Sequence, residues 1–387
     1  MVSRRTLLSV TAGMALGTLA SIPTAEAATI TAAAAKTKPV PRTLAVARAV
    51  RKGSLRVQET SFELTHLGVA WQGPRPHVRV RTAAGWAQWR AVDGCSGGRD
   101  GRADPGGNAL LVVPGTVGYE VSVAGAGSAE ITELNTVDGP AIQQAAAVAR
   151  VMPLPDGTTC AVPYLSRAAW GADESKRFRS GDEYWPAEYF PVQTLTVHHT
   201  AGVNNDPDPA ATVRAIYHFQ AITNDWGDIG YHVIIDEAGR AYEGRWSGPD
   251  AVPVFGTTLG TDGRPQMSVG AHVLGYNVGN ISVCLLGNYT SRLPTSAAMS
   301  SLNAILAGLA RVSRLNVLGT TSYVNPVNSN AKTVRTLSGH RNWTATECPG
   351  DTFYPQLPAL RSSVARRVIV PAEHPRWPSL RPPRPRP

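Results

Sequence analysis

The stretch Ser338–Asp351, SGHRNWTATECPGD, places a histidine (His340) and a cysteine (Cys348) eight positions apart on an irregular segment that contains Pro-Gly. Imidazole nitrogen and thiolate sulfur are both ligands for a borderline-soft cation such as zinc. Two ligands on one loop make half of a tetrahedral site, so we expect at least one more from elsewhere in the chain. The best candidate lies far upstream, at His198 in the segment TLTVHHTAG.

The segment Thr194–His199 predicts a β-strand, in which alternate side chains face opposite sides of the sheet. His199 falls on the same face as two apolar residues, whereas His198 shares its face with Thr196. The less apolar face favours His198 over His199 as a metal ligand. The simpler alternative is that this histidine pair is structural.

The predicted ligand set has consequences for chemistry. Three protein ligands, His198, His340 and Cys348, leave the fourth position of a tetrahedral zinc ion open. This is the arrangement of a catalytic zinc site, whereas structural zinc sites have four protein ligands. An open zinc ion lowers the pKa of its water to about 7 and polarises a substrate carbonyl.

Strands alternate with helices over residues 161–365. Strands are predicted at TLTVHHT, at NISVCLLGNY and in a hairpin that turns at Glu237–Gly239. Helices are predicted at 206–226, at Thr295–Arg314 and around Leu357–Val368. This order predicts an α/β domain with a mixed central β-sheet flanked by helices.

A different pattern precedes this region. Residues 55–138 contain short alternating strands such as HVRVRT, separated by glycine-rich turns, and predict a small all-β, sandwich-like domain of unknown role. Residues 28–54, rich in Ala, Thr, Lys and Pro, and residues 139–160 are predicted to be linkers. Residues 366–387 are rich in Pro and Arg and are predicted to form an extended tail.

Residues 1–27 have the pattern of a secretory signal peptide. Paired arginines of twin-arginine-like type precede an apolar run that closes with Ala25–Ala27, an A-x-A cleavage pattern. A membrane anchor is the alternative, but the apolar run is short and no stop-transfer pattern follows it. We therefore expect a secreted, extracellular or cell-wall-associated protein that has no membrane partner after signal cleavage.

The three cysteines other than Cys348 are interpreted either as a buried thiol or as partners in a disulfide. Cys284 lies in the apolar segment ISVCLLG and is predicted to be a buried thiol. Cys95 and Cys160 are then left, and a disulfide between them is one possibility in an exported protein. Nothing in the sequence fixes the distance between these two residues.

Five motifs in the C-terminal half carry a family resemblance: SRAAWGADES, TVHHTAG, WGDIGYHVIIDEAGRAYEGR, GAHVLGYNVGNISVCLLGNY and SGHRNWTATECPGD. In these motifs and their order, residues 164–365 resemble the type-2 N-acetylmuramoyl-L-alanine amidase family, which includes the peptidoglycan recognition proteins. The β-rich region and the tail lie outside the resemblance. It implies zinc bound by His198, His340 and Cys348, in agreement with the ligand set predicted above.

The resemblance also implies a reaction: hydrolysis of the amide between N-acetylmuramic acid and L-alanine of the peptidoglycan stem peptide. Tyr231, in the GYH motif, is implied to support catalysis through its hydroxyl. Thr346 occupies a position where family members carry lysine or threonine. A threonine can hydrogen-bond an oxyanion but supplies no charge. His232 departs from many relatives, and we assign it no role.

The substrate groove is expected to be lined by His199, His272, Asn277 and Arg341. Ordinary structural hydrogen bonding is the alternative for each of these residues. Arg245, near a hairpin end, is expected either to meet stem-peptide carboxylates or to be solvated at the surface.

Two other functions fit the sequence, namely a non-catalytic peptidoglycan-binding protein and a zinc endopeptidase that acts within stem peptides. Some relatives that only bind lack the ligand cysteine, so the presence of Cys348 favours catalysis. The formal net charge of +9 suits anionic partners such as wall polymers, and the export signal argues against nucleic acid. The expected partner is peptidoglycan (muramyl peptide). The sequence does not determine the oligomeric state, for which a monomer is our expectation.

Overall fold

The computed structural model describes residues 37–94, 97–102, 106–145 and 151–369. The predicted signal peptide, Cys95 and nearly all of the predicted tail lie outside the described residues. Among the described residues, no helix combines the length and the apolar character needed to cross a membrane.

Residues 37–145 contain only strands as regular structure within their described part, and we refer to them as the β-domain. The strands are β1 (Thr37–Pro41), β2 (Leu44–Val50), β3 (Gly53–Val57), β4 (Leu64–Gln72), β5 (His77–Thr82), β6 (Gly85–Trp86), β7 (Arg90–Ala91), β8 (Gly107–Thr116), β9 (Gly118–Val123), β10 (Ser128–Asn135) and β11 (Ala141–Ala145).

The core of the β-domain is formed by two stacked antiparallel sheets, and β1 and β11 pair in a separate two-stranded sheet. One of the stacked sheets has the strand order β2-β10-β4-β8, and the other has the order β3-β9-β5-β6 with β7 paired to β5. Val69 and Ile131 from the first sheet share a buried core with Val78 and Val121 from the second. This packing of two apolar faces makes a β-sandwich, as the sequence predicts.

The prediction of a linker over residues 28–54 is wrong for residues 37–54, because these residues form β1, β2 and the start of β3. β2 pairs with β10 along its whole length, from Leu44 opposite Asn135 to Val50 opposite Ala129. It lies at the edge of its sheet, where backbone hydrogen bonds to one neighbour hold the strand. Its exposed positions carry alanine, so the strand lacks the alternation of polar and apolar residues that marks a half-buried strand.

Residues 151–369 form the α/β-domain. Its strands are β12 (Val151–Pro153), β13 (Thr159–Leu165), β14 (Phe178–Arg179), β15 (Asp182–Glu183), β16 (Tyr189–Pro191), β17 (Thr194–His199), β18 (Val233–Ile235), β19 (Ala241–Glu243), β20 (Phe255–Leu259), β21 (Pro265–Ser268), β22 (Asn280–Leu285), β23 (Thr320–Val324), β24 (Ala331–Arg335) and β25 (Leu337–Gly339). Its α-helices are α1 (Arg167–Trp170), α2 (Pro209–His218), α3 (Ser296–Val312) and α4 (Leu357–Ile369).

The central sheet has seven strands in the order β12-β13-β19-β18-β22-β17-β25. β17 is parallel to both of its neighbours, β22 and β25, whereas β18 and β19 form the predicted antiparallel hairpin. The mixed central sheet that the sequence predicts is therefore confirmed.

Helices cover both faces of this sheet. Leu302 and Leu306 of α3 and Val364 of α4 pack with Leu195 and Val197 of β17 in one buried cluster. Because alternate strand residues face opposite sides, His198 points away from this cluster.

The opposite face of the sheet packs against α2 and α1. Ile216 of α2 and Trp170 of α1 share a buried cluster with Ile234 and Cys284 of the sheet. Cys284 is fully buried, so the prediction of a buried thiol is confirmed. The side chain of Asp208 caps α2 by accepting from the backbone N–H of Ala211 at 3.0 Å, the type of start signal that its position before Pro209 indicates.

The predicted linker over residues 139–160 also proves to be structured where it is described. β11 pairs with β1, and β12 and β13 form one edge of the seven-stranded sheet. Met152 and Leu154 are buried in the same core as α3, and this packing outweighs the propensity of the neighbouring prolines for open structure. Cys160 is buried beside α3, with Sγ 3.7 Å from the carbonyl oxygen of Ala304.

The β-domain packs on α2 and the π-helical turn that follows it, Phe219–Thr223. Nε2 of His66 in β4 lies 2.9 Å from Oγ1 of Thr212 in α2, in a buried contact. A Cβ atom at Gly68 would lie 2.5 Å from the ring of Phe219, so this close approach requires glycine.

Candidate metal centre

The carboxyl end of β17 delivers the first residue of the site. β17, β22 and β25 are parallel, so their carboxyl ends meet at one edge of the sheet. Such an edge is where open α/β sheets place their ligands. His198 lies near the end of β17 on the face of Thr196 and is fully buried.

β25 delivers the second residue, because His340 follows its last residue directly and begins a 3-10 turn, His340–Asn342. The backbone N–H of Arg341 donates to the carbonyl of Cys348 at 3.0 Å and closes the loop between the two ligands. This bond brings Cys348 back to the edge at which His340 begins.

Trp343 ties this loop to the sheet. Its indole Nε1–H lies 2.9 Å from Oγ1 of Thr196 and 3.0 Å from Oγ of Ser338. Thr344 contributes a contact to a ligand, since its Oγ1 lies 3.2 Å from Nε2 of His340. The sequence prediction missed both residues, and their only signal was their position between the two ligands.

His198, His340 and Cys348 offer ligand atoms that all lie within 4.8 Å of one another. Sγ of Cys348 is 3.7 Å from Nδ1 of His198. Two ligands on one tetrahedral zinc ion, with usual Zn–S and Zn–N bond lengths, are separated by about 3.6 Å. The backbone N–H of His199 donates to the same sulfur at 3.3 Å, which suits a thiolate. The residues present therefore fit a zinc ion.

His272 determines which nitrogen of His198 carries a proton. Nε2 of His272 lies 2.9 Å from the carbonyl oxygen of Asn280, which only accepts, so this nitrogen is the donor. In the neutral ring Nδ1 is then an acceptor. It lies 3.0 Å from Nε2 of His198, which therefore donates. Nδ1 of His198, the atom that faces Cys348, keeps its lone pair for a metal.

The protonation states of the neighbouring histidines agree with this pattern. Burial, together with the nearby rings of His198 and His232, holds the pKa of His272 well below its ordinary value. Burial lowers the pKa of His232 to about 4. The backbone N–H of Ser282 donates to Nδ1 of His232, and Nε2 of His232 bonds to the carbonyl of Ser268 at 2.7 Å. Both rings are therefore neutral at physiological pH.

The two residues with implied catalytic roles lie beside the cluster. The ring centroid of Tyr231 is 5.6 Å from that of His198, and Oγ1 of Thr346 accepts from the backbone N–H of Cys348 at 3.3 Å. Tyr231 also lines a cavity of about 40 Å³, as do Leu110 and Val112 of β8. This volume holds only a few water molecules.

The four predicted groove residues occupy different environments. His199 is 2% exposed and accepts at Nδ1 from the backbone N–H of Tyr289. His272 and Asn277 are also buried and bond to protein groups. Each of these polar groups has hydrogen-bond partners within the fold, and their place in a substrate groove stays a prediction. Arg341 lies on the loop surface with Nη2 2.7 Å from the carboxylate of Asp351.

Arg245 lies neither in a groove nor at the surface, contrary to both expectations. It is fully buried, and its Nη1 is 2.9 Å from the carboxylate of Asp228. Its other nitrogens donate to the carbonyls of Val269 and Trp185. A buried arginine needs such partners, and these bonds tie together the segments that carry Trp185, Asp228 and Val269.

A mixed sheet covered by helices, with His, His and Cys clustered at the carboxyl ends of its parallel strands, defines an α/β domain with a three-ligand candidate metal centre. The profile of the N-acetylmuramoyl-L-alanine amidase family matches residues 188–351, which include all three candidate ligands. The chain belongs to this family, which also contains the peptidoglycan recognition proteins.

Individual relatives match about half of the chain. Peptidoglycan recognition protein 1 of Bos indicus is 31% identical over 197 residues, which cover 49% of this chain and 80% of that protein. The human N-acetylmuramoyl-L-alanine amidase is 31% identical over 182 residues, 43% of this chain, and the match spans only 24% of the human protein. Among solved structures, Drosophila PGRP-LB is 24% identical, with a TM-score of 0.35. The match covers 51% of this chain and 92% of the PGRP-LB chain.

Proposed function

We propose that this protein is a secreted, zinc-dependent peptidoglycan hydrolase that cleaves the amide between N-acetylmuramic acid and L-alanine of the stem peptide. The observation that carries the proposal is the convergence of His198, His340 and Cys348 within 4.8 Å at one sheet edge, in a chain of the amidase family. The names of the relatives, which refer to amidase activity and to peptidoglycan recognition, support the choice of substrate.

Each residue of the site has a defined task in this proposal. His198, through Nδ1, His340 and Cys348 would hold zinc, which supplies polarisation of the amide carbonyl and activation of water. The hydroxyl of Tyr231 donates a hydrogen bond to the oxyanion that develops on the amide carbonyl. Thr346 gives a second, uncharged contact on the same side. Donors of this kind typically contribute about 100- to 1,000-fold in rate.

Product analysis on purified peptidoglycan tests the proposal. We expect release of stem peptides with a free L-alanine amino terminus and intact glycan strands, abolished by a chelator and restored by zinc. Cys348→Ser should abolish release. Peptides cut at an internal bond would instead indicate an endopeptidase, and tight binding without any release would indicate a binding protein.

A further inference from the structure

A loop of the β-domain, Gly97–Arg102, inserts a carboxylate into the α/β-domain. Oδ1 of Asp100 accepts from the backbone N–H of Gly275 and from Nδ2 of Asn277, both at 2.6 Å. Oδ2 of Asp100 accepts from Nδ2 of Asn325 at 3.1 Å. Three N–H donors from one domain thus converge on a single carboxylate of the other. Hydrogen bonds to an ionised acceptor are the stronger kind.

The three donors are held in place by their own domain. Oδ1 of Asn277 accepts from the backbone N–H groups of His272 and Val273 at 2.7 and 2.8 Å, which fixes the amide plane. The carbonyl of Gly275 accepts from Asn325 at 3.0 Å. Asn328 and Asn330 donate to the same carbonyl at 3.1 and 3.2 Å. These bonds lie within the α/β-domain, whereas Nδ2 of Asn277 also donates to the carbonyl of Gly98 on the loop of Asp100 at 2.9 Å. If Asp100 is displaced, the three donors require another acceptor.

This set of donors adjoins the candidate metal centre. Asn277 binds the backbone of His272, and the ring of His272 binds the ligand His198. A cleavable muramyl peptide extends away from the metal and carries at least its terminal carboxylate. A peptide carboxylate is an anionic acceptor of the kind that these three N–H donors can bind.

We propose that Gly275, Asn277 and Asn325 form a carboxylate-binding subsite for the peptide part of the substrate, and that Asp100 of the β-domain occupies this subsite in competition with it. The inference rests on the proposed function for the identity of the ligand. Because Asp100 is tethered to the subsite, it acts at a high effective concentration and weakens the apparent affinity for the peptide.

Equilibrium binding to the full chain, with chelator present to stop turnover, tests the competition. The probes are a muramyl tripeptide with a free terminal carboxylate and the same peptide with a terminal carboxamide. Asp100→Asn should tighten binding of the free carboxylate about tenfold and leave binding of the carboxamide unchanged.

Arg102→Ala is the matched control, because Arg102 lies on the same loop but contacts Tyr184 and Asp225 outside the subsite. It should leave binding of the carboxamide unchanged and tighten binding of the free carboxylate much less than Asp100→Asn does. Adding Asn325→Asp to Asp100→Asn places a carboxylate among the donors. The double variant should therefore lose the increased affinity for the free carboxylate. Thermal unfolding verifies that each variant is folded.

Equal affinities of Asp100→Asn and wild type for the free carboxylate would overturn the inference, as would an equal gain for the carboxamide or for Arg102→Ala. The proposed function has a separate test, because wild-type release of peptides from peptidoglycan does not depend on these comparisons.

Discussion

Nε2 of His198 donates to Nδ1 of His272 across 3.0 Å, and this bond directs the other nitrogen of His198 toward Cys348. The chain of donors ends at the carbonyl of Asn280, which can only accept. This carbonyl, a backbone group of β22, therefore determines which ring nitrogens of His272 and His198 carry a proton. Partners of this kind orient ligating histidines and raise metal affinity.

Replacing His272 should weaken zinc binding. His272→Phe removes the acceptor for His198 and is expected to reduce zinc affinity about 10- to 100-fold. His272→Asn places an amide oxygen near the position of Nδ1 and should reduce zinc affinity less than His272→Phe does. Competition with a chromophoric chelator measures both constants. Unchanged zinc affinity in His272→Phe would show that this hydrogen bond does not position His198.

Removing the hydroxyl of Tyr231 should lower the catalytic rate and leave zinc binding unchanged. Tyr231→Phe is expected to lower kcat about 100- to 1,000-fold with the zinc content unchanged. Tyr217→Phe is the matched control, because its buried hydroxyl has no hydrogen-bond partner among the described residues and it packs in the same cluster. Full activity of Tyr231→Phe would rule out oxyanion stabilisation by this residue.

The anchor of the ligand loop should contribute to stability. Trp343→Phe leaves the hydroxyls of Thr196 and Ser338 without the indole donor, which is expected to cost about 1–3 kcal/mol of unfolding free energy. Trp89→Phe, on the exposed face of the β-domain, should change stability by less than about 0.5 kcal/mol. Chemical denaturation compares the two, and equal effects would contradict the anchoring role.

The contact between the domains should be sensitive to acid. Burial, and secondarily Arg214, lowers the pKa of His66 from 6.5 to about 3. Below pH 6.5 the unfolded chain binds a proton at this histidine that the folded chain excludes. The stabilising contribution of His66 is therefore complete above pH 6.5 and is lost as the pH falls toward 3. It should decrease by about 2 kcal/mol between pH 6.5 and pH 5.

His66→Gln tests this dependence, because glutamine does not titrate. Urea denaturation at several pH values should show a shallower decline in unfolding free energy for the variant than for the wild type. Parallel declines would mean that His66 is not held neutral in the folded protein.

Period-two alternation in β17 and the ligand chemistry of the Ser338–Asp351 loop were enough to predict which three residues meet. Alternation separated His198 from His199, and the structure places these two rings in different environments. Both features are local, because they depend on strand geometry and on residue type within a few positions.

What the sequence could not provide was the pairing of distant polar groups. Asn277 has the residue type of a groove lining, yet Gly98 and Asp100 of another domain bind its amide. The edge strand β2 was missed because its pairing partner, β10, lies far along the chain, and Val50 is its one buried side chain. Such partners lie far apart in the chain and leave no local pattern.

X-ray absorption at the zinc edge of the purified full-length protein tests the metal centre most directly. We predict one zinc ion per chain with one sulfur ligand at about 2.3 Å and two imidazole nitrogens at about 2.0–2.1 Å. Cys348→Ser should eliminate the sulfur contribution. A zinc ion without a sulfur ligand, or with sulfur retained in Cys348→Ser, would contradict the assignment of His198, His340 and Cys348.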